Sequence, residues 1–338
     1  MTLTLEAIED LPPETTGALT FHLPLELAAL QLAGAPEAVI NARIEARLTE
    51  AYAAGLVDPP FYRWAVNHYT PVAQQLLSPD PHARDAALVA IEPLAAGLAG
   101  AAFHGLIRLG YGLWRHRPAE VARGLAYLRC RRQVLGQPHW AARPGDDPDP
   151  TRPPGHPGPP ASLPPAEELA GSTVFDQMNL AAGTPEAGRL LRGDLPLTVG
   201  RLLATSMALV QRNPGSFVAV HTLTGLHALC ELHVVAEGPP ALDQAVRDCR
   251  LRDWWASYGL ALGAAGALVS LLVPEPIGQL EASPAQPDAV VAAAVASGET
   301  HNVKVAMALR RLWQFGLLED HQVVQLARVK LAASARPR

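Results

Sequence analysis

The residues of this chain that could do chemistry are histidines and one lysine, and one such pair is in "ETHNVKVAMALRRLWQ". His301 and Lys304 are three residues apart, so they lie on the same side of the predicted helix. Lys304 is one of two lysines, the other being Lys330, whereas arginine is used freely. A desolvated lysine amine can lose its proton and react as the neutral amine, which a guanidinium cannot do. The alternative interpretation is an exposed helix face.

A second group of polar residues is in "AAFHGLIRLGYGLW". Offsets of four and seven residues place His104, Arg108 and Tyr111 on one face of a helix. This stripe either faces water or lines a polar pocket inside the protein. The flanking residues are almost all apolar, and burying Arg108 without a partner would be costly, which favours the pocket. The spacing alone leaves both interpretations open.

Two further segments carry histidines that could border a cavity. In "FVAVHTLTGLHALCELH", His221 and His227 are six residues apart, about 240° around a helix, so they do not form a chelating pair on one line. A strand beginning at "SFVAV" would change this geometry. His22 precedes a proline at a predicted helix start, where a ligand is easily presented. The alternative is that these are unrelated core, surface or boundary histidines.

Other kinds of site are not indicated. The chain contains no GxGxxG after a strand, no GxxxxGK[ST], no GxSxG and no HExxH, so any chemistry must come from scattered histidines. Seven other histidines stand beside charges, prolines or chain breaks and are predicted to lie on the surface or in loops: His68, His82, His116, His139, His156, His233 and His321.

Composition predicts an all-α fold. Of 338 residues, 49% are hydrophobic, mostly Ala, Leu and Val, and only 5% are aromatic, which favours stacked helices over a β-sandwich. A net charge of −5 without a basic block excludes a nucleic-acid surface. The three cysteines show no CxxC spacing, and no signal peptide opens the chain, so we expect a cytoplasmic protein. The apolar run from Tyr258 to Pro274 is predicted to be a buried core helix and not a membrane anchor.

The expected architecture is one large helical bundle-like domain with long proline-rich loops. Residues 1–136 form a helical N-terminal half, and residues 167–338 form a helical C-terminal half that packs with the first. Between them, residues 137–166 are a loop or linker, because the eleven prolines between Pro138 and Pro165 exclude a helix or a central strand. The oligomeric state is not indicated.

Four segments in order resemble successive motifs of the questin oxidase-like family, which acts on anthraquinone-type aromatic polyketides. They are "FHLPLELAALQLAGA", "AAFHGLIRLGYGLW", "VHTLTGLHAL" and "ETHNVKVAMAL". The resemblance implies a helical domain with a buried non-haem Fe(II) site. With dioxygen, such a site performs Baeyer–Villiger-type or ring-cleaving oxidation of an aromatic small molecule. Some members consume NADPH, which no motif here indicates.

The resemblance also implies roles for particular residues. His22, His104, His221 and His301 would bind the metal, with a carboxylated Lys304 as an oxygen ligand, and His227 would be a nearby catalytic group or a substitute ligand. Our leading hypothesis, an oxygenase, adds that Arg108 and Tyr111 contact the substrate in an apolar cavity lined partly by Trp254 or Trp255. Two alternatives remain: a zinc-type hydrolase or isomerase, and a helical binding module without catalysis.

Overall fold

Helices form where the sequence repeats apolar residues every three or four positions. The computed structural model describes residues 5–16, 20–135, 174–184, 187, 197–238, 242, 246, 249–272 and 286–334. Of these residues, 76% are helical and 3% are in strands, and the 14 α-helices form a single helical body. The predicted all-α fold is confirmed. The proline-rich segment at residues 137–166 lies outside the described residues, as do His139 and His156.

Seven helices precede this segment. They are α1 (Leu5–Glu9), α2 (Leu23–Leu32), α3 (Glu37–Ala54), α4 (Tyr62–Leu76), α5 (Pro81–Ile91), α6 (His104–Trp114) and α7 (Pro118–Cys130). A 3₁₀ helix, Glu92–Gly97, extends α5. The two short strands β1 (Glu14–Thr15) and β2 (Leu56–Val57) pair antiparallel, with Glu14 opposite Val57.

The later described residues contain seven more helices. They are α8 (Val174–Ala182), α9 (Val199–Arg212), α10 (Phe217–Glu237), α11 (Arg252–Leu271), α12 (Pro287–Ala296), α13 (Thr300–Gln314) and α14 (Asp320–Ser334). Side-chain caps begin several of them: Thr198 caps α9, Ser216 caps α10 and Glu299 caps α13. Because Ser216 caps a helix, "SFVAV" is helical and the strand alternative for this segment is excluded.

Glycines bring α6 unusually close to its neighbours. A Cβ on Gly110 would lie 2.5 Å from the Cα of Ala228 in α10, and one on Gly124 of α7 would lie 2.5 Å from the backbone nitrogen of Leu109. Real Cβ atoms do not approach other atoms so closely, so larger residues would push the helices apart. The α6–α10 contact joins the two halves of the chain and sets the spacing between His104 and His221.

Helices α10 and α11 are long and apolar enough to cross a membrane by length and composition. In each, most of the apolar window is buried by the protein itself, 83% in α10 and 78% in α11. Helix α11 contains the apolar run from Tyr258, and its burial is what a core helix shows. Buried Trp254 and Trp255 start this helix and lie in the core.

Candidate metal centre

Four histidines from four different helices meet in the interior. His22 is the N-cap of α2, His104 begins α6, His221 lies one turn into α10 and His301 lies in the first turn of α13. The ring centroids of His104 and His221 are 4.5 Å apart, and His22 lies 4.7 Å from His104 and 5.3 Å from His301. Three of these residues stand at helix starts, where the chain turns inward and can present a ring to a common point.

Three of them form a candidate metal-binding group. One ring nitrogen from each of His22, His221 and His301 lies within 4.8 Å of the others. Coordinated nitrogens at about 2.0–2.1 Å from one metal, with angles between about 90° and 110°, lie about 2.9–3.4 Å apart. The three-histidine group is wider than this, so a bound ion would draw the rings together. These residues are 80 or more positions apart in the sequence, and the fold brings them close together.

The contact between His104 and His221 has the geometry of two ligands of one cation. Nδ1–H of His104 donates to the carbonyl of Ala101 at 2.5 Å, and Nδ1–H of His221 donates to the carbonyl of Phe217 at 2.7 Å. A carbonyl only accepts, so each neutral ring carries its proton on Nδ1 and a lone pair on Nε2. The two Nε2 atoms face each other at 3.1 Å, within the range of nitrogens that share a metal.

Protonation of one ring does not remove the repulsion between the Nε2 lone pairs of His104 and His221. Burial lowers the pKa of His104 and of His221 well below 6.5, and the charge of Lys304 acts in the same direction. Burial is also the main cause that lowers the pKa of His22. Neutral rings with opposed lone pairs repel each other unless a cation lies between them, and neutral imidazole is the form that binds metals.

The turn before His104 has a strained backbone and positions the His104 ring. Ala101, Ala102 and Phe103 have positive φ angles of 49°, 50° and 65°, in the left-handed region that non-glycine residues rarely adopt. This turn delivers the carbonyl of Ala101 to Nδ1 of His104. Strained backbone of this kind persists only where the surrounding structure determines it, and it is concentrated at functional sites.

Glu299 orients His301 and was missed by the sequence analysis. Its Oε1 accepts a hydrogen bond from Nδ1 of His301 at 3.0 Å, and its Oε2 accepts one from the backbone N–H of Asn302 at 2.8 Å. Burial alone would raise the pKa of Glu299, but the hydrogen bonds from His301 and the charges of His301 and Lys330 together outweigh it and lower this pKa to about 2. Nε2 of His301 is buried without a hydrogen-bond partner among the described residues. A carboxylate behind a metal-binding histidine is the usual supporting arrangement.

Lys304 is fully buried, and its Nζ has no hydrogen-bond partner in the described part of the chain. Burial is the main cause that lowers the pKa of Lys304 to about 8, partly opposed by the negative charge of Glu26. The positive charge of Lys304 in turn lowers the pKa of His22 and His301. An unpaired amine beside buried lone pairs fits a group that gains a partner when the site is filled.

Glu26 is the second acidic residue that the sequence analysis missed. It lies one helical turn after His22 on α2 and is fully buried. Arg43 and Arg47 of α3 pair with its carboxylate at 3.0 and 3.4 Å. Arg47 also donates to the hydroxyl of Thr300 at 2.9 Å, which ties α3 to the start of α13. The i, i+4 spacing from His22 was the available signal.

Arg108 is buried, and its guanidinium donates to several protein groups. Nε and Nη2 donate to the carboxylate of Glu120 at 2.9 and 3.1 Å, Nη1 donates to Tyr62, and Nη2 donates to the carbonyl of Glu9. Of the two interpretations of this helix face, the buried one therefore holds for Arg108, and its donors join α6 to α7, α4 and α1. Its role as a substrate contact stays a prediction.

Tyr111 and His227 form a separate group between α6 and α10. Their ring centroids are 5.9 Å apart, and Trp114 lies 5.3 Å from His227. Nε2 of His227 lies 3.3 Å from Glu231, which also pairs with Arg311. The hydroxyl of Tyr111 is buried without a partner among the described residues. The three-histidine group does not include His227.

The exclusion of His233 was wrong. His233 is buried, and its Nδ1 accepts a hydrogen bond from the indole N–H of Trp255 at 3.1 Å. Trp254 and Trp255 are thus core residues. The other predicted surface histidines in the described residues are exposed: His68, His82, His116 and His321.

Together, these features define an all-helical protein with a candidate metal centre built from His22, His221 and His301, with His104 in contact with His221. No protein-family model, curated protein or solved structure matches the chain.

Proposed function

We propose that this protein is a metal-dependent oxidoreductase, a non-haem Fe(II) oxygenase that oxidises an aromatic polyketide or quinone-like small molecule. One observation carries the metal-dependent part: a ring nitrogen from each of His22, His221 and His301 lies within 4.8 Å of the others, and Nε2 of His221 also faces Nε2 of His104. The preference for iron, dioxygen and an aromatic substrate rests on the resemblance of the four sequence segments to the questin oxidase-like family. Cytoplasmic location belongs to the same proposal.

The residues that would hold the metal are His22, His104, His221 and His301. When bound, Fe(II) would supply the activation of dioxygen, which no amino-acid side chain performs. The protein's own contribution is to hold three of the rings. Nδ1 of His104 donates to the carbonyl of Ala101, Nδ1 of His221 to the carbonyl of Phe217, and Nδ1 of His301 to the carboxylate of Glu299. These acceptors keep each Nε2 unprotonated and fix the ring orientation.

Lys304 would complete the set as a carbamate. Its neutral amine would add to carbon dioxide, forming an N–C bond, and would release one proton to water. The resulting carboxylate would carry an oxygen ligand on a long side chain, and imidazole with oxygen suits Fe(II). Full burial and the unpartnered Nζ support this assignment, because an amine left alone there would be costly.

Metal content and dioxygen uptake test the proposal. Protein purified without added metal should contain a first-row metal, and His221→Ala should lose it, whereas His68→Ala should not, because His68 is exposed. The Fe(II)-loaded protein should consume dioxygen in the presence of a suitable quinone or phenol. Full turnover in anaerobic buffer would instead indicate a zinc-type hydrolase or isomerase, and wild-type metal content in His221→Ala would refute the metal centre.

Two further measurements test the type of oxidation and the carbamate on Lys304. Dioxygen uptake with and without NADPH distinguishes insertion of one oxygen atom, which needs two external electrons, from ring cleavage that uses both atoms. Incubation with ¹³C-bicarbonate should produce a carbamate signal in the NMR spectrum of the unaltered protein. Lys304→Met should lack this signal and Lys330→Met should keep it.

A further inference from the structure

The outer face of α4, formed by its exposed residues together with Phe61, carries aromatic side chains in water. Phe61, the N-cap of this helix, is 80% exposed, and Trp64, one turn later, is 59% exposed. His68 and Pro71 are also exposed and continue the stripe from Trp64, because positions three and four apart lie on one side of a helix. The opposite side of α4 packs into the core through Tyr62, Ala65, Tyr69, Ala73 and Leu76.

The outer face of α4 is almost free of charge. Its other exposed residues are mainly asparagine, threonine and glutamine, and Arg63 is the one charged residue of this helix. Nε of Arg63 donates to the carboxylate of Asp58 at 2.6 Å, so this charge is already paired. Solvent-facing helix surfaces normally carry charges of both signs, whereas the centres of protein interfaces are depleted of charge and enriched in aromatic residues. The composition of this face is therefore that of an interface.

The aromatic side chains of this face are held in fixed arrangements. The ring of Trp64 stacks on the ring of His68, with 5.2 Å between their centroids and 11° between their planes. A ring that is already held loses little conformational freedom on association, so more of its burial contributes to binding. Phe61 has a φ angle of 64°, in the left-handed region that a bulky side chain rarely adopts. Strained backbone of this kind is concentrated at functional positions.

The charge of the outer face favours a second copy of the chain as the partner. In a two-fold symmetric dimer each patch meets itself, so a patch with clustered charges of one sign would repel its own copy. With Arg63 paired to Asp58, the outer face of α4 has no such cluster. A membrane surface fits less well, because helices that lie on bilayers are rich in Lys and Arg. Helix α4 contains no lysine and a single arginine.

We propose that two copies of the chain associate through the outer faces of α4, with Trp64 near the centre of the interface. A fully buried aromatic side chain removes about 150–250 Å² from water, so at their observed exposure Phe61 and Trp64 would together bury about 280 Å² in each copy. This is about a third of the roughly 800 Å² that each partner contributes to a standard interface. The other exposed residues of α4 and the adjoining surface supply the rest. The proposal does not depend on the metal centre.

Sedimentation velocity of the full chain between about 1 and about 300 μM tests the proposal. The wild-type protein should pass from monomer to dimer as its concentration rises. Trp64→Arg should raise the dimer dissociation constant more than about 30-fold, because it places a charge from each copy at the centre of an apolar interface. Trp64→Phe should stay dimeric, and Leu180→Arg, at an exposed apolar position of α8, should dimerise as the wild type does. Circular dichroism checks that each variant is folded, which the exposure of Trp64 and Leu180 leads us to expect.

Cross-linking locates the interface without relying on the Trp64 variants. His68→Cys, near the middle of α4, should form a disulfide-linked dimer under mild oxidation, at a yield above that of the wild type and of Leu180→Cys.

Four outcomes would overturn the proposal. Two are a wild-type protein that stays monomeric over the whole concentration range and a Trp64→Arg dimer as tight as the wild type. A monomer that sediments with phospholipid vesicles, and loses this binding in Trp64→Arg, would assign the face to a membrane. Dimers that form only after residues 137–166 are deleted would assign it to that segment of the same chain.

Discussion

Glu299→Gln should weaken metal binding without removing the helix cap. Glutamate uses one oxygen for Nδ1–H of His301 and the other for the backbone N–H of Asn302. Glutamine has one oxygen, and if this oxygen keeps the cap, its NH₂ group faces Nδ1 of His301. An NH₂ donor favours the tautomer with the proton on Nε2, which removes the lone pair that would bind the metal.

The expected magnitudes differ for folding and for binding. Loss of a supporting carboxylate typically costs about 10- to 100-fold in metal affinity, which corresponds to about 1.4–2.7 kcal/mol. Because the cap is retained, the free energy of unfolding of metal-free Glu299→Gln should fall by less than about 1 kcal/mol. Glu299→Ala loses both functions and should lose about 1 kcal/mol of folding stability in addition to metal affinity.

The chain provides a matched control at the start of α14. Glu319 and His321 have the same two-residue spacing, with Oε2 of Glu319 lying 3.1 Å from Nδ1 of His321, but both side chains are exposed. Glu319→Gln should therefore leave metal affinity unchanged. The assay is competition for Zn²⁺ or Co²⁺ with a chelator of known affinity, together with chemical unfolding of the metal-free proteins. If Glu299→Gln and Glu319→Gln bind metal equally well, the assigned role of Glu299 is wrong.

Three other substitutions test the surroundings of the site. Lys304→Met should stabilise the metal-free protein by about 1–3 kcal/mol in chemical unfolding, because it removes a buried amine without a hydrogen-bond partner among the described residues. Lys330→Met should give no such gain, because Lys330 is hydrogen-bonded to Ser334. Gly110→Ala should lower the free energy of unfolding by about 1–3 kcal/mol and weaken metal binding, because the added Cβ would separate α6 from α10. As a control, the Cβ added by Gly266→Ala meets only Leu209 at 3.9 Å, so this change should stabilise α11 by up to about 1 kcal/mol. Burial would raise the pKa of Glu120, but Arg108 and Arg123 outweigh it and lower this pKa, so the contribution of Glu120 to stability is present above pH 4.5 and is lost as pH falls below it. Glu120→Gln should cost about 3–5 kcal/mol at neutral pH and flatten the acid limb of the stability curve, and an unchanged acid limb would contradict this account.

Local patterns predicted most of the described fold. Apolar residues at helical spacing indicated the helices, and proline or glycine marked many of their ends. The apolar run from Tyr258 was correctly identified as a buried helix, because glycine and alanine at close spacing suit tight helix packing. His22 was recognised as a residue at a helix start for the same local reason, since the following leucine and proline open α2.

Pairing between distant segments limited the prediction of the site. The partner of Arg108 is Glu120, on the next helix, and sequence spacing does not show that α6 and α7 lie side by side. His233 was misjudged because its partner, Trp255, is on another helix and its own neighbours include Glu231 and Glu237. Glu26 and Glu299 resemble ordinary charged residues of helix surfaces and starts. Only the fold shows that Glu299 accepts a hydrogen bond from His301 and that Glu26 is buried against Arg43 and Arg47 of α3.

Several features around the four histidines share one physical property. Opposed imidazole lone pairs at 3.1 Å, an unpaired buried amine and three successive left-handed residues each raise the free energy of the metal-free fold. Arg108, by contrast, is buried with hydrogen bonds to Glu120, Tyr62 and the carbonyl of Glu9. Selection for stability alone would replace these residues with apolar ones, so their presence at a single point favours a ligand that offsets their cost. A cation satisfies the lone pairs, and a carbamate would satisfy the amine. One bound ion would therefore account for all of the unpaired groups of this cluster together, which separate structural roles for the histidines would not.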